Sequence, residues 1–99
     1  MYVRVIAVKA LKDFWKKHLD AEQPLKAWCY EAKKANWRKP DDVICSYRTA
    51  SILKNNRVVF NIKGNNYRLV TAINYNFNII YIRFIGTHKE YDKVNAEEI

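Results

Sequence analysis

The chain has 99 residues, of which 49% are hydrophobic and 14% aromatic, and it carries a formal net charge of +8. This composition excludes a disordered tail and predicts one packed domain, residues 1–99, that folds without disulfide or metal support. The charge bears on partners more than on the fold. We expect nucleic acid first, an acidic protein second and an anionic membrane surface third.

The N-terminal third predicts a strand followed by two helices. Residues 2–8 are rich in β-branched side chains and too short for a signal peptide, so we expect a strand in a soluble, intracellular protein. Asp20 is predicted to cap the second helix, with Gln23 three residues later. The apolar positions at helical spacing are Ala10, Leu11, Phe14, Trp15, His18 and Leu19 in the first helix, and Leu25, Trp28, Cys29, Ala32 and Ala35 in the second.

The middle of the chain is harder to assign. Residues 37–46 are predicted to form a connection, and residues 47–56 fit no single element. Trp15, Trp28 and Trp37 are expected to pack in the core or at its edge and not to stack on bases. His18 is expected on a helix surface.

The second half of the chain predicts antiparallel strands. A hairpin over residues 58–75 is expected to turn at Gly64-Asn65, because glycine in the first loop position suits a type II′ turn. A third strand over residues 79–85 follows a turn near residues 76–78. Helices first and strands afterwards indicate an α+β fold, with two N-terminal helices packed on one face of a small, mostly antiparallel sheet.

The expected hairpin register separates an apolar face from a polar one. Val59 lies opposite Val70 and Asn61 opposite Arg68, while the alternate positions are apolar and should face the helices. Arg83 is expected opposite Val70, on the helix-free face. The polar cluster predicted on that face consists of Asn61, Lys63, Asn66, Arg68 and Arg83.

No acidic residue occurs between Asp42 and Glu90, and a surface with this bias indicates a polyanionic partner such as RNA. Metal-free RNA cleavage needs a base, an acid and cations around the phosphorane. Arg68 can hold a phosphate, the imidazole of His88 can accept or donate a proton, and Tyr91 can donate one, although each also has a plain structural interpretation. The predicted catalytic residues are Arg68, His88 and Tyr91, and the predicted RNA-binding residues are Arg57, Asn61, Lys63, Arg83 and Lys89.

No cofactor and no metal are predicted. Cys29 and Cys45 lack the spacing of a zinc site, and we expect them to be a buried, reduced pair. No carboxylate cluster lies among the basic residues, which disfavours two-metal cleavage.

Two segments closely resemble the HigB toxins of the RelE-like toxin superfamily. They are VVFNIKGNNYRLV at residues 58–70 and FIGTHKEYD at residues 84–92. Residues 4–6, 10–15 and 37–40 are also similar to that family, so the resemblance covers nearly the whole chain.

The resemblance implies a RelE-like fold and the toxin of a type II toxin–antitoxin system. Such a toxin cleaves mRNA on the translating ribosome in the cytoplasm without metal, and a HigA-type helix-turn-helix antitoxin neutralises it. Operator DNA would be reached only through that antitoxin. The resemblance assigns phosphate stabilisation to Arg68 and transcript binding to Lys63 and Arg57. His88 stands where RelE has a tail arginine, so its role as acid, base or binding group stays open.

Two alternatives remain at this point. One is a non-catalytic basic module that binds RNA or the ribosome, and the other is a gyrase-directed toxin of the same superfold. The leading interpretation predicts a positively charged pocket on the helix-free face, closed by the C-terminal segment.

Overall fold

A computed structural model describes residues 3–99 and shows the N-terminal helices on one side of a single sheet. The elements in chain order are β1 (Arg4–Ile6), α1 (Val8–Lys17), a 3₁₀ turn (Leu19–Ala21), α2 (Glu22–Lys34), α3 (Pro40–Ser46), β2 (Ser51–Ile52), β3 (Arg57–Ile62), β4 (Tyr67–Asn74), β5 (Ile79–Thr87) and α4 (His88–Tyr91). Within residues 3–99, every helix is too short or too polar to cross a lipid bilayer.

The sheet has five strands in the order β1-β5-β4-β3-β2. The β1–β5 pair is parallel and the other three pairs are antiparallel. Both edge strands are very short, at three and two residues, which limits the unpaired backbone available to another chain. The expectation of a mostly antiparallel sheet is confirmed.

The main core lies between the sheet and the N-terminal helices. Leu11 of α1, Leu25 and Trp28 of α2, and Phe60 and Leu69 of the sheet are all fully buried within it. The predicted α+β architecture is therefore confirmed, with the N-terminal helices on one face. Trp28 and Trp37 are buried and Trp15 is partly buried, as expected for packing residues.

The N-terminal boundaries differ from the prediction in three ways. The strand is only Arg4–Ile6, because Ala7 has φ +74° and turns the chain into α1 at Val8; Tyr2, also predicted in the strand, lies outside the described residues. Asp20 does not cap α2, since the 3₁₀ turn places Ala21 at the cap position. Leu19 is 75% exposed in that turn and has left the apolar stripe.

The predicted connection over residues 37–46 contains a helix. Pro40 starts α3, at a position whose backbone N–H would have no partner within the helix. Asp41 and Asp42 in the first turn place negative charge at the positive end of the helix dipole, which stabilises the helix. Val43 is fully buried, so α3 adds a third helix to the core. Cys45 is exposed and Cys29 is buried, so the expectation of a buried cysteine pair is wrong. Burial raises the pKa of the Cys29 thiol.

The β3–β4 register is the predicted one. Asn61 pairs with Arg68, Val59 with Val70, and Gly64 occupies the turn with φ +64°. The β4–β5 register agrees as far as Thr71 and Ile82, but a bulge follows and Phe84, not Arg83, pairs with Val70. The extra residue of a bulge faces no partner, and Arg83 takes that place.

Candidate active site

Arg68 projects from the helix-free face of the sheet, at the end where β4 begins. It is half-buried and pairs with Asn61 on one side and Gly86 on the other. Its Nη1 donates to the carbonyl of Asn65 at 3.0 Å and, more weakly, to that of Tyr67 at 3.5 Å. Its Nε and Nη2 groups have no partner within residues 3–99. One edge of the guanidinium is therefore fixed by the turn, and the other is available to a ligand.

Gly86, the cross-strand neighbour of Arg68, lies at a position with no room for a side chain. A Cβ at this position would lie 2.5 Å from Cζ of Phe84 and 3.0 Å from Oε1 of Glu90. The absence of a side chain thus lets the Phe84 ring and the Glu90 carboxylate approach the strand together.

A capping box starts α4 directly after the strand. The N–H of Glu90 donates to Oγ1 of Thr87 at 3.2 Å, and the N–H of Thr87 donates to Oε1 of Glu90 at 2.8 Å. These bonds, above all the one from the Thr87 backbone, lower the pKa of Glu90. They set the direction in which the following residues leave the sheet.

His88 is the first residue of α4 and is largely exposed. Its Nδ1 lies 3.2 Å from Oδ2 of Asp92, one helical turn later. A carboxylate only accepts, so the tautomer that satisfies this contact carries its proton on Nδ1. This arrangement orients the ring and holds Nδ1 against the carboxylate of Asp92, so Nε2 is the ring nitrogen that points away from that contact.

Tyr91 packs across the helix-free face. Its half-buried ring belongs to a second cluster formed around Val59, Val70 and Ala96, to which Phe84 also contributes. The C-terminal segment therefore covers the apolar middle of this face. Arg68 and His88 lie toward the sheet end where β4 begins and β5 finishes, and no hydrogen bond or ion pair joins Arg68 to His88 or Tyr91 within residues 3–99.

Lys63 is placed differently from the predicted polar cluster. Its Nζ lies 2.9 Å from Oδ2 of Asp20, whose Oδ1 accepts from the hydroxyl of Tyr67 at 2.5 Å. Tyr67 belongs to the helix-side core. Lys63 has φ +52°, which ends the alternation of the strand and directs the side chain to that side. The hydrogen bond from Tyr67, followed by that from Lys63, lowers the pKa of Asp20.

The other predicted RNA-binding residues are distributed over the helix-free face and α4. Asn61 lies beside Arg68 and donates to the Thr49 carbonyl at 3.2 Å. Arg83 is exposed at the bulge, with Cζ 5.5 Å from the centre of the Tyr81 ring. Lys89 is exposed on α4.

Arg57 lies apart from this group. It is four residues from Asn61 along β3, roughly 13 Å at the usual rise. Its Nε donates to the Ile99 carbonyl at 2.9 Å, and its Nη1 donates to that of Asn55 at 2.9 Å. Arg57 therefore links the C-terminal residue Ile99 to the turn that precedes β3.

The surface around Arg68 is open. A depression of about 600 Å³ on this side is lined by Tyr91, Asp92 and neighbouring C-terminal residues, but neither Arg68 nor His88 lines it. An open surface with a fixed guanidinium and an oriented imidazole suits a long, anionic chain better than an enclosed small molecule.

Sequence reasoning missed two residues of this region. Asp92 orients His88, and the His-x-x-x-Asp spacing at a helix start was a usable signal for it. Asp20 was assigned to a helix cap, although it joins Lys63 and Tyr67 across the fold. No spacing in the sequence predicts the contacts of Asp20, because Lys63 and Tyr67 lie far from it along the chain.

Comparison with known proteins identifies the family of this chain. The family model described as "HigB_toxin, RelE-like toxic component of a toxin-antitoxin system" matches residues 21–94. The "mRNA interferase toxin HigB" of Escherichia coli (strain K12) is 32% identical over 96 residues, covering 95% of this chain and 92% of that protein. The "mRNA interferase HigB" proteins of Escherichia coli O157:H7 and Shigella flexneri match with the same identity and coverage. The chain therefore belongs to the HigB family of RelE-like toxins from toxin–antitoxin systems.

Proposed function

We propose that this HigB-family protein is an endoribonuclease that cleaves mRNA on the translating ribosome and so arrests translation. The observation that supports it best is the half-buried Arg68, with one edge fixed by Asn65 and the other open, at the sheet end where α4 presents His88. Relatives that match over most of the chain carry the name mRNA interferase, which favours the same reaction.

In the proposed reaction, the 2′-hydroxyl of the message attacks the adjacent 3′ phosphate. The bond to the 5′ oxygen of the next nucleotide breaks, giving a 2′,3′-cyclic phosphate and a 5′-hydroxyl. Nε and Nη2 of Arg68 bind two non-bridging oxygens and stabilise the charge that develops on phosphorus. The 2′-oxygen forms the new bond to phosphorus as the 5′ oxygen leaves, and the side chains named here supply the proton transfers and the charge stabilisation. The proposed reaction uses no metal or cofactor.

His88 and Tyr91 are the proposed proton-transfer groups. Nε2 of His88 takes the 2′-hydroxyl proton or returns one to the departing 5′ oxygen, while Asp92 holds the ring in one orientation. The Tyr91 hydroxyl is the second candidate donor, on a ring fixed by packing against the Val59–Val70 cluster. Asn61, Arg83 and Lys89 supply the positive and hydrogen-bonding surface along which the message lies. Lys63, on the helix side, and Arg57, beside the C-terminal residues, add positive charge only at its margins.

The proposed partners are the ribosome with its message, and a HigA-type helix-turn-helix antitoxin. The helix-free face is acid-free throughout β3, β4 and β5, so an antitoxin segment with acidic side chains complements it. We propose that the toxin reaches operator DNA only through this antitoxin and acts in the cytoplasm.

The test is cleavage of a defined message in a reconstituted translation system, mapped by primer extension. We expect Arg68→Ala and His88→Gln each to lower the cleavage rate by at least about a hundredfold, in line with loss of a charge-stabilising or proton-transfer group. Tyr91→Phe keeps the ring packing and removes only the hydroxyl, so it separates chemistry from folding. Lys16→Gln on the exposed face of α1 is the matched control and should keep full activity. Full cleavage by the Arg68→Ala, His88→Gln double variant would contradict the site.

The non-catalytic basic module makes a different prediction in the same assay. It gives no new 5′ ends in the message, yet binds RNA with an affinity that falls steeply with salt. A gyrase-directed toxin leaves the message intact and changes DNA supercoiling instead.

A further inference from the structure

A second polar cavity lies at the other end of the sheet from Arg68. It has a volume of about 580 Å³ and is lined by Lys34, Asn36, Arg38, Tyr75, Asn76 and Asn78. Arg68 and Asn74 are six residues apart along β4, which corresponds to roughly 20 Å at the usual rise. The cavity is thus separate from the proposed active site, between the C-terminal end of α2 and the β4–β5 turn.

Two cations and three side-chain amides make the lining both positive and rich in hydrogen-bonding groups. Lys34, Asn36, Arg38 and Asn76 are all exposed. The nearby carboxylate of Asp42 lies outside this lining, where its Oδ2 accepts a hydrogen bond from the backbone N–H of Arg38 at 2.9 Å. The lining itself contains no carboxylate among the described residues.

Exposed aromatic rings flank this cavity. Phe77 is 74% exposed at the tip of the β4–β5 turn, and Tyr30 is 62% exposed on α2. Both positions are fixed. Asn74 Oδ1 accepts from the N–H groups of Asn76 and Phe77, each at 3.1 Å. The ammonium of Lys34 bonds to the Tyr30 hydroxyl and lies 4.2 Å from the centre of its ring.

This combination of groups fits single-stranded RNA. Exposed aromatic rings stack on bases, amides bond to base edges, and Lys and Arg neutralise phosphates. An acidic protein segment would use the two cations but would gain little from an exposed phenylalanine and three amides. The wall also contains Tyr75, whose hydroxyl is buried and has no hydrogen-bond partner within residues 3–99.

We propose that the cavity between α2 and the β4–β5 turn is a second RNA-binding site that holds an unpaired RNA segment away from the cleavage site. Phe77 stacks on a base, Lys34 and Arg38 bind phosphates, and Asn36 and Asn76 bond to base edges. This inference rests on the proposed function and extends it. A second contact would hold a distant part of a long RNA while Arg68 engages the scissile phosphate.

The test uses a short, fluorescent single-stranded RNA with 2′-O-methyl groups, which the proposed chemistry cannot cleave. Affinity is measured by anisotropy over a series of salt concentrations for three variants of the full chain: Lys34→Gln with Arg38→Gln, Phe77→Ala alone, and the control pair Lys9→Gln with Lys16→Gln. The control removes the same charge from exposed positions of α1. Circular dichroism verifies that each variant is folded.

The expected results differ for the two kinds of contact. Loss of Lys34 and Arg38 should reduce the slope of log affinity against log salt by about 1.4, the value for two phosphate contacts on a single strand. Phe77→Ala should weaken binding about tenfold with the slope unchanged, as for loss of one stacked base. The control pair should change the slope by clearly less than the first pair.

Equal behaviour of the cavity pair and the control pair, together with an unchanged affinity for Phe77→Ala, would overturn the proposal. So would variants that bind RNA normally but lose affinity for polyglutamate, because that result identifies an acidic protein partner. The probe cannot be cleaved, so the outcome does not depend on catalysis. A wild-type protein that binds through Phe77 but never cuts a message would refute the proposed nuclease and support this site.

Discussion

Replacing Gly86 by alanine should damage the end of the sheet that carries the proposed site. The new Cβ would meet Cζ of Phe84 at 2.5 Å and Oε1 of Glu90 at 3.0 Å. The Phe84 ring cannot simply swing away, because it also packs on the Val59–Val70 cluster. Overpacking of this kind costs about 1–3 kcal/mol, so we expect Gly86→Ala to lower the free energy of unfolding by that amount.

Urea unfolding of a double-mutant cycle with Phe84→Leu measures the contact directly. Leucine lacks the ring atoms that the new methyl group meets, so Gly86→Ala should cost at least about 1 kcal/mol less in the Phe84→Leu background. Gly64→Ala is the control. Gly64 also has no side chain, but a Cβ there meets nothing within 4 Å and the cost comes from its φ of +64° alone. An equal cost of Gly86→Ala in both backgrounds would show that Phe84 is not the obstacle.

Two further predictions concern polar contacts near the site. Thr87→Ala removes the capping box and should cost about 1 kcal/mol, with faster hydrogen exchange at Glu90, while Thr87→Ser should behave as wild type. Unchanged exchange in the alanine variant would contradict the role of the cap. Tyr67 and Lys63 lower the pKa of Asp20 below 3.8, so their contribution to stability is present above that pH and is lost as the pH falls through the folded-state value. The difference in Tm between wild type and Asp20→Asn should therefore shrink on acidification below pH 3.8, and a difference that stays constant would refute this assignment.

Local patterns were sufficient for the elements whose signals lie close together in sequence. The β3–β4 hairpin was predicted with its register, because the two-residue turn and the alternation of apolar residues agree there. The buried stripe of α2 was predicted for the same reason: Leu25, Trp28, Cys29 and Ala32 recur at helical spacing and all are buried.

The errors fall where a contact from elsewhere in the fold decides the outcome. Asp20, with Gln23 three residues later, matches the sequence pattern of a helix N-cap. In the structure its carboxylate instead binds Tyr67 and Lys63 from the hairpin. The helix α3 is seven residues long, which is too short to show a clear helical periodicity in the sequence. Burial of Val43 against the core stabilises it. The bulge near Arg83 depends on the fit between Val70 and Phe84, which no pattern along one strand contains.

For the candidate site, the predicted pairing of Arg68 with Asn61 is confirmed, whereas the catalytic roles of Arg68 and His88 stay predictions. Sequence and resemblance did not predict that Arg57 would hold the C-terminal segment or that Lys63 would turn toward the helices. Both outcomes depend on long-range partners. The acid-free stretch between Asp42 and Glu90 does contact an acidic side chain in the fold, because the carboxylate of Glu97 accepts a hydrogen bond from the backbone N–H of Lys54.

The parallel pairing of β1 with β5 has a consequence for how the toxin is made. β1 (Arg4–Ile6) cannot pair until β5 (Ile79–Thr87) has been synthesised, because β5 is the strand to which it forms its hydrogen bonds. Contacts this distant in sequence form late, after the intervening loop has been closed. A nascent chain would therefore carry its N-terminal helices on an unfinished sheet and acquire a complete site only at the end of its own translation.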